Sequence, residues 1–285
     1  SKSARSAGFK VLLSGIGGDD IFSGYRRHSA LYYEKYWKWT PELLKLILNK
    51  TLSKIKTQNN FVRRFKKIFE YSHLKNNESI NSYFYWLNPE LIKSTLKNKD
   101  FDFKDYQKNL TILKDLDQLD SNHVNISKLS KMLYLELKYF LGDHNLNYTD
   151  KVAMHSGVEV RVPFLDKDLV NYVSSLEDKY KIQSFQNKWL LKKSMKNIIP
   201  SEIINRKKIG FGLPIRSWVK NELNETINDT INSSNSIIKN YIDKKQFINL
   251  INMNHSGIID SSYFIFNIFC LELWFRNFNS NTVFK

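Results

Sequence analysis

The feature that most constrains this chain is an apolar run that stops abruptly in small residues and two carboxylates, VLLSGIGGDD at residues 11–20. The β-prone run at residues 10–15 ends at a glycine, which predicts a strand followed by a turn. Because glycine has no Cβ and adopts positive φ, the turn lets backbone amides approach an anion closely. Asp19 and Asp20 follow directly, and carboxylate oxygens suit a Mg²⁺ ion that bridges phosphates. Taken alone, the pattern fits equally well a turn whose aspartates only cap the next helix.

Most of the remaining chain has helical periodicity. A lone strand cannot form a sheet, so we expect its partner strands to lie elsewhere and the chain to be a piece of a larger protein. Apolar spacing and capping residues predict a helix at 126–141, a second at 188–199 closed by Pro200, a third capped by Ser201, helices with polar loops at 222–262, a buried helix at 263–275 and a long surface connection at 96–125.

Composition narrows the classes of partner. The chain has one cysteine, Cys270, which excludes an internal disulfide framework, favours a reducing compartment and predicts a cytoplasmic protein. The apolar stretch at 263–275 is too short to span a bilayer, so no membrane partner is expected. The net charge of +16 comes from scattered lysines. Their densest cluster, at 61–70, has the spacing of an amphipathic helix with a solvated face, so no nucleic-acid partner is expected either.

Two further segments carry groups with chemical potential. In the first, residues 148–173, Glu159 and Arg161 share one face of an extended segment. For Arg161 and Asp166 the favoured interpretation is a buried ion pair that fixes a loop. In the second, residues 204–218, cations precede a glycine-containing turn, which fits a phosphate clamp and a solvated basic loop equally well.

The three segments, in this order, resemble the synthetase domain of the glutamine-hydrolysing asparagine synthetase family. The resemblance runs from residue 10 to about residue 276 and ends in a Leu-Glu-Leu-Trp helix. The matching positions are Ser14, Gly15, Gly17, Asp19, Phe22, Gly24 and Tyr25 in the first segment, Asp150, Lys151, Met154, Glu159, Arg161, Pro163, Phe164, Leu165 and Asp166 in the second, Arg206, Lys208 and Phe211 in the third, and Leu271–Trp274 at the end.

The resemblance implies a fold and an activity. The fold would be mainly α with one or few parallel strands, the carboxyl-terminal part of a Rossmann-like α/β adenine-nucleotide domain. It would occupy residues 1–285, with the nucleotide-site strand and turn at 10–30 and mostly helices at 31–285. Such enzymes activate a carboxylate with ATP and Mg²⁺, form an acyl-adenylate, release pyrophosphate and let ammonia attack the acyl carbon. Asparagine synthesis from the small-molecule carboxylate aspartate is the leading expectation.

The resemblance also implies roles for individual residues. Adenylation develops negative charge on the departing pyrophosphate, which a metal and a lysine offset. By position in the motifs, the nucleotide would contact Ser14, Gly15 and Gly17, the metal would bind Asp19 and Asp20, the phosphates would contact Lys208, and the acceptor pocket would be shaped by Glu159 and Arg161.

Two departures from the family pattern qualify these expectations. Ile16 stands where asparagine synthetases commonly carry a glutamate, which points to a different acceptor carboxylate, such as a glycan uronic acid, or to a different proton relay. The family's pyrophosphate loop and its glutaminase domain, which supplies the ammonia, are absent from this sequence. If the chain is a whole gene product, it is therefore predicted to be inactive alone. A non-catalytic remnant or subunit is the remaining alternative, and a homodimer is expected for the full-length protein.

Overall fold

The computed structural model describes residues 1–36, 39–41, 44, 47, 51, 71, 74, 76–98, 111–121, 125–206, 210 and 212–279. The chain divides into two compact units. The first comprises Ser1–Trp39 and Asp115–Lys208, and the second comprises Thr40–Lys114 and Ile209–Lys285. The glycine-rich turn and the segment at 148–173 therefore belong to the same unit. The expected single domain over residues 1–285 stays a prediction.

The strand predicted at residues 10–15 is confirmed. Val11–Leu13 forms β1, which pairs in parallel with β2, Glu159–Arg161, so that Val11 lies opposite Glu159. The chain thus supplies one partner strand itself, which corrects the expectation that the partners lie elsewhere. Among the residues that the structure describes, this sheet has two strands, and Leu13 at its end is 75% exposed.

The helix predicted at 126–141 is confirmed, but it changes its winding. It begins as an α-helix at Lys128–Leu135, where the Ser127 side chain caps it by accepting a hydrogen bond from the Ser130 amide at 3.0 Å. It continues as a π-helix over Glu136–Leu146 and returns to α-helical winding at Asn147–Met154. Such wide turns are rare and often occur at functional sites.

A small antiparallel hairpin follows in the first unit. Its strands are β3, Ile182–Gln183, and β4, Gln186–Asn187. The two residues of the turn, Ser184 and Phe185, both have positive φ, at 49° and 60°, as tight two-residue hairpins require. Phe185 is fixed by a residue outside the hairpin, Tyr33. The two rings stack with their centroids 4.6 Å apart, and the Phe185 amide donates to the Tyr33 hydroxyl at 2.7 Å.

The other helices of the first unit are short. The one predicted at 188–199 covers only Trp189–Ser194. The next begins after Pro200, and Ser201 is its first residue rather than its cap. The core of this unit includes a cluster of Ile21, Phe22 and Val173 and a second cluster of Leu129, Leu133 and Ile182. The remaining helices are Lys2–Ser6, Gly18–Ile21, Arg26–Tyr33, Lys167–Ser175, Asp178–Lys181 and Ser201–Ile204, with 3₁₀ turns at Glu34–Tyr36 and Pro163–Leu165.

The second unit is helical around an apolar core. The helix predicted at 263–275 is present as Ser262–Asn279, but only one face is buried, and Trp274 is 50% exposed. Glu272 is fully buried. Its carboxylate is compensated by hydrogen bonds that it accepts from the Ile238 amide at 2.7 Å and from Arg276 Nε at 2.7 Å. The other described helices are Asn76–Ser82, Pro89–Thr95, Ile215–Lys220, Asn224–Asn232 and Lys244–His255, with a 3₁₀ turn at Ile238–Asn240.

Three expectations from the sequence have clear outcomes. The predicted surface connection at 96–125 is wrong in part, since Thr111–Ser121 is a helix that buries Leu116 completely. The amphipathic helix predicted at 61–70 lies outside the described residues. Helices with polar loops at 222–262, and a mainly helical fold with few parallel strands, are confirmed. No helix in the described ranges is long and apolar enough to cross a membrane.

Candidate functional site

The glycine-rich turn leaves β1 at its carboxyl end. The Ser14 amide donates to the Arg161 carbonyl at 2.8 Å, which extends the parallel ladder by one bond, and the chain then turns away. The Ser14 hydroxyl accepts a hydrogen bond from the Ile16 amide at 3.3 Å. Ser14 is half-buried and Gly15 is exposed. The first part of the turn is therefore open to a ligand, at the strand end where nucleotides bind in open α/β sheets.

The later glycines of the turn are needed for packing. Gly17 has φ 93°, and a Cβ at this position would lie 2.5 Å from the Leu165 side chain. A Cβ at Gly18 would lie 3.3 Å from the Phe164 ring. The turn thus rests on the VPFLD segment that follows β2. Gly17, predicted to contact the nucleotide, is buried and caps the short helix Gly18–Ile21, so neither aspartate is the N-cap of that helix.

Asp19 is half-buried and forms an ion pair with a lysine side chain. Lys188 Nζ lies 2.8 Å from Asp19 Oδ1. Both side chains lie against Gly24, where an added Cβ would collide with Asp19 Oδ1 and lie 2.5 Å from Lys188 Cε. The sequence did not single out Lys188, because nothing local to it predicts the contact.

Asp20 lies in a different environment, although it is the next residue. It is buried, and the Tyr25 hydroxyl donates to its two carboxylate oxygens at 3.3 and 3.4 Å. Burial, reinforced by the negative charge of Glu136, raises the pKa of Asp20 to about 6. Burial and the negative charge of Asp20 also raise the pKa of Tyr25, which keeps its hydroxyl protonated and able to donate.

Glu136, at the start of the π-helix, organises the charges beneath the turn. Its side chain is completely buried and accepts two hydrogen bonds from Arg27, one of them at 2.6 Å from Nη2, while His28 Nε2 lies 3.2 Å away. The Arg27 guanidinium also lies 4.8 Å from the centre of the Phe140 ring. Burial opposes ionisation of Glu136, but these partners outweigh it and lower its pKa. Burial also lowers the pKa of His28. The sequence offered one signal for this cluster, a glutamate within an apolar helical stripe.

The residues predicted for the acceptor pocket lie on the surface of the first unit. Arg161 Nε donates to Glu159 Oε1 at 2.8 Å, and the two side chains are 62% and 55% exposed. The interpretation of Arg161 and Asp166 as a buried ion pair is therefore wrong. Asp166 instead caps the helix Lys167–Ser175, accepting from the Asp168 and Leu169 amides at 3.1 Å.

A cavity of about 390 Å³ opens beside the turn in the first unit. Its polar wall carries the cations Lys188, Lys192 and Arg206. Burial, followed by the positive charge of Lys188, lowers the pKa of Lys192. The remaining lining is mostly apolar and includes Phe164, Leu191, Met195, Ile199, Ile203 and Ile204.

The structure does not describe two of the motif residues of the third segment. Lys208 and Phe211 of the third segment lie outside the described residues. In the part of the chain that the structure describes, no three His, Cys, Asp or Glu side chains converge as a metal site. A metal at the turn would thus depend on Asp19, water and oxygen atoms of its ligand, which is how Mg²⁺ is commonly held beside phosphates.

Comparison with known proteins bears on the whole chain. The family model described as asparagine synthase matches residues 1–276. Asparagine synthetase (glutamine-hydrolysing) 1 of Bacillus subtilis is 28% identical over 264 residues, which cover 93% of this chain and 40% of that protein. A putative asparagine synthetase (glutamine-hydrolysing) of Mycobacterium bovis is 28% identical over 156 residues, covering 54% of this chain and 24% of that protein.

A fungal relative has a different name. Amidase chyE of Penicillium rubens is 29% identical over 117 residues, which cover 39% of this chain and 17% of that protein. No solved structure gives a significant match. The chain spans about two fifths of the length of the Bacillus relative, at 40%. The family model nevertheless covers nearly all of the sequence, which confirms the resemblance carried by the three segments. The chain belongs to the asparagine synthase family.

Proposed function

We propose that the first unit carries the nucleotide- and metal-binding part of a carbon–nitrogen ligase that activates a carboxylate with ATP and transfers ammonia to it. One observation carries the proposal: Asp19 follows the carboxyl end of a parallel strand, in a glycine-rich turn, and its charge is balanced by the ammonium group of Lys188. Membership of the asparagine synthase family supports the same chemistry.

The nucleotide would bind at the open part of the turn. The Ser14 hydroxyl accepts from the Ile16 amide, and its own proton can donate to a ligand oxygen. Gly15 is exposed, and a Cβ there would meet no atom within 4 Å, so the backbone can be approached from solvent. Gly17 contributes by holding the turn against Leu165.

The donor chemistry at Asp19 fits a divalent cation. Its carboxylate is half-buried and already holds an ammonium group at 2.8 Å, so a positive charge is accommodated there. When bound, Mg²⁺ would offset the negative charge that develops on the departing pyrophosphate. Asp20 is directed to Tyr25 inside the protein. Because Asp20 is buried, Asp19 is the better placed of the two aspartates to bind the metal.

The basic segment would complete the phosphate site. Lys208 is proposed to contact the phosphates, and Arg206, two residues earlier, lines the same cavity as Lys188. A cation-rich wall suits the pyrophosphate leaving group, whose charge rises as the carboxylate is adenylated.

Aspartate is the first candidate acceptor, with ammonia supplied by glutamine hydrolysis, in line with the names of the bacterial relatives. Ile16 favours a second candidate, another carboxylate such as a uronic acid. Its half-buried side chain lies at the open turn and can neither ionise nor form a hydrogen bond. Glu159 and Arg161 are proposed to support the acceptor, and their exposure leaves both charges accessible.

The nucleotide and metal proposal is tested by calorimetric titration of the 285-residue chain with magnesium pyrophosphate and with magnesium ATP. Asp19→Asn is expected to weaken magnesium pyrophosphate binding by about tenfold or more, because a charge-assisted contact is lost. Glu177→Gln, an exposed carboxylate of the same unit paired with Lys179, is the matched control. Equal affinities in the wild type and Asp19→Asn would contradict the proposal.

The acceptor is tested by saturation-transfer NMR of aspartate and of glucuronate with magnesium ATP present. In Ile16→Glu, a carboxylate at position 16 would pair with the α-ammonium group of aspartate, which a uronic acid lacks. The variant is therefore expected to strengthen the aspartate signal and leave the glucuronate signal unchanged. A strong aspartate signal in the wild type that Ile16→Glu does not alter would show that position 16 does not select the acceptor.

A further inference from the structure

The Asp19–Lys188 ion pair joins two parts of the sequence that no motif connects. Asp19 belongs to the glycine-rich turn, whereas Lys188 directly follows β4 of the hairpin. Their charged atoms are 2.8 Å apart, and the side chains are 22% and 25% exposed, respectively. A pair at this depth is less screened by solvent than a surface pair, yet a ligand from solution can still reach it.

The backbone around Lys188 is arranged to deliver its side chain to the turn. Lys188 adopts the left-handed conformation, with φ 55°, which costs a residue other than glycine about 1 kcal/mol. The preceding residue, Asn187, offsets this cost by fixing the hairpin. Its side-chain amide donates to the Tyr25 carbonyl at 3.2 Å, and its oxygen accepts from the Ser29 hydroxyl. Both partners lie just after the turn that carries Asp19.

Gly24 shapes the place where the two side chains meet. A Cβ at this position would collide with Asp19 Oδ1 and lie 2.5 Å from Lys188 Cε. The Gly24 amide also donates to the Asp19 carbonyl at 2.7 Å, which holds the backbone close behind the pair. The absence of a side chain at position 24 therefore makes the room that the ion pair occupies.

Lys188 also has somewhere to move. It pairs with Asp19 and also lines the cavity of about 390 Å³ together with Lys192 and Arg206. A dication placed on Asp19 would repel the ammonium group, and phosphate oxygens beside that dication would attract it. The flexible four-carbon stem of lysine allows such a displacement.

We propose that Lys188 forms an ion pair with Asp19 in the ligand-free protein and contacts the phosphates instead when a magnesium-bound diphosphate group binds. This inference rests on the proposed function and names one more residue of the same site. The ligand class is a magnesium-bound diphosphate, whether inorganic pyrophosphate or the terminal part of a nucleoside triphosphate. The ammonium group neutralises the carboxylate in the absence of ligand and neutralises the phosphates in its presence.

The inference is tested by titrating the chain with Mg²⁺ alone and with magnesium pyrophosphate, in the wild type and in Lys188→Met. The two ligands are expected to respond in opposite directions. Mg²⁺ alone should bind Asp19 several-fold more tightly in Lys188→Met than in the wild type, because no ammonium group competes for the carboxylate. Magnesium pyrophosphate should bind about tenfold more weakly, because a charge-assisted contact to phosphate is lost.

Two matched variants complete the experiment. Lys179→Met removes an exposed cation of the same unit that does not line the cavity, so it should leave the affinities for Mg²⁺ alone and for magnesium pyrophosphate unchanged. Lys188→Arg keeps the charge and should retain most of the affinity for pyrophosphate. It also keeps the test decisive if Lys188→Met unfolds, since a folded Lys188→Arg that binds magnesium pyrophosphate about tenfold more weakly than the wild type would count against the inference.

The results that overturn the inference differ from those that overturn the proposed function. If Lys188→Met changes neither affinity, or changes both in the same direction, the ion pair is only structural, and the proposed function stands as long as Asp19→Asn weakens magnesium pyrophosphate binding. If Asp19→Asn binds magnesium pyrophosphate as the wild type does, the proposed function itself fails.

Discussion

Two arginine–glutamate pairs of the first unit have the same chemistry in opposite surroundings. Glu136 is completely buried and holds Arg27 by two hydrogen bonds, whereas Glu159 and Arg161 are 55% and 62% exposed and share one at 2.8 Å. Removing one partner of a buried pair leaves a charge without compensation, but water replaces the lost partner at the surface. Arg161, although it belongs to a family motif, therefore contributes little to stability, whereas Glu136, which lies outside the motifs, contributes much.

The buried pair also acts on its neighbours. The charge of Glu136 helps to raise the pKa of Asp20, and the same carboxylate holds His28 Nε2 at 3.2 Å. The exposed pair changes only its own members, lowering the pKa of Glu159 and raising that of Arg161. A buried charge therefore organises the groups beneath the glycine-rich turn.

The largest effect is expected from Glu136→Gln. The amide cannot balance the Arg27 guanidinium, so the variant should lose about 3 kcal/mol or more of unfolding free energy. Urea denaturation at pH 7.5 measures the loss, with Glu159→Gln as the surface control. Equal losses in the two variants would show that burial does not distinguish the pairs.

Gly24→Ala should have the next largest effect, because it perturbs the Asp19–Lys188 pair, which is intermediate in exposure. The added methyl group overlaps both side chains and should destabilise the fold by about 1–3 kcal/mol. Gly15→Ala is the control, since a Cβ there would meet no atom within 4 Å. Urea denaturation again provides the measurement, and a larger loss at Gly15 than at Gly24 would contradict the packing described at the turn.

Asp20→Asn should show a stability difference that depends on pH. The pKa of Asp20 is raised from 3.8 to about 6, so the native state binds this proton more tightly than the unfolded state does. Its contribution to the unfolding free energy is therefore greatest below pH 4 and falls as the pH rises to about 6. The variant does not have to bury a charged carboxylate above pH 6, so it should be more stable than the wild type by about 3 kcal/mol at pH 7.5.

Urea denaturation of the wild type and Asp20→Asn from pH 4 to pH 8 isolates this residue from other titrating groups. The advantage of the variant should vanish toward pH 4, where Asp20 is protonated in the native state. A difference that stays constant across the series would show that the Asp20 carboxyl titrates near its ordinary value.

The smallest effect is expected from Arg161→Gln. Because the pair with Glu159 is exposed and solvent screens it, the unfolding free energy should stay close to that of the wild type. Thermal denaturation at low salt and at high salt checks both the size of the effect and its screening. A loss comparable to that of Glu136→Gln would remove the contrast between the two pairs.

Elements formed by residues that are neighbours in the chain could be predicted from the sequence. The strand β1, the turn after it and the helix that begins at Lys128 each follow from local composition and spacing. The capping role of Asp166 was missed because the same carboxylate also fits an ion pair with Arg161, and only the three-dimensional structure decides between a helix cap and an ion pair.

Long-range contacts of the site could not be predicted. Lys188 follows a hairpin whose two turn residues are not glycine although both have positive φ, and it contacts Asp19 from there. Such a hairpin is not recognisable from the glycine and asparagine residues that usually mark a tight turn. Glu136 interrupts an apolar helical stripe, and no residue near it in the sequence indicates its partners. Its partners Arg27 and His28 are more than 100 residues away in the sequence, at separations of 109 and 108.

The short parallel sheet has a practical consequence for anyone who handles the chain. Parallel strands are ordinarily covered on both faces, but Leu13 is 75% exposed and Val11 is also exposed. Open strand edges next to bare apolar side chains are templates for pairing between molecules. Concentrated stocks of the isolated chain should therefore self-associate through β1, and a lysine in place of Leu13 should delay aggregation measured by light scattering.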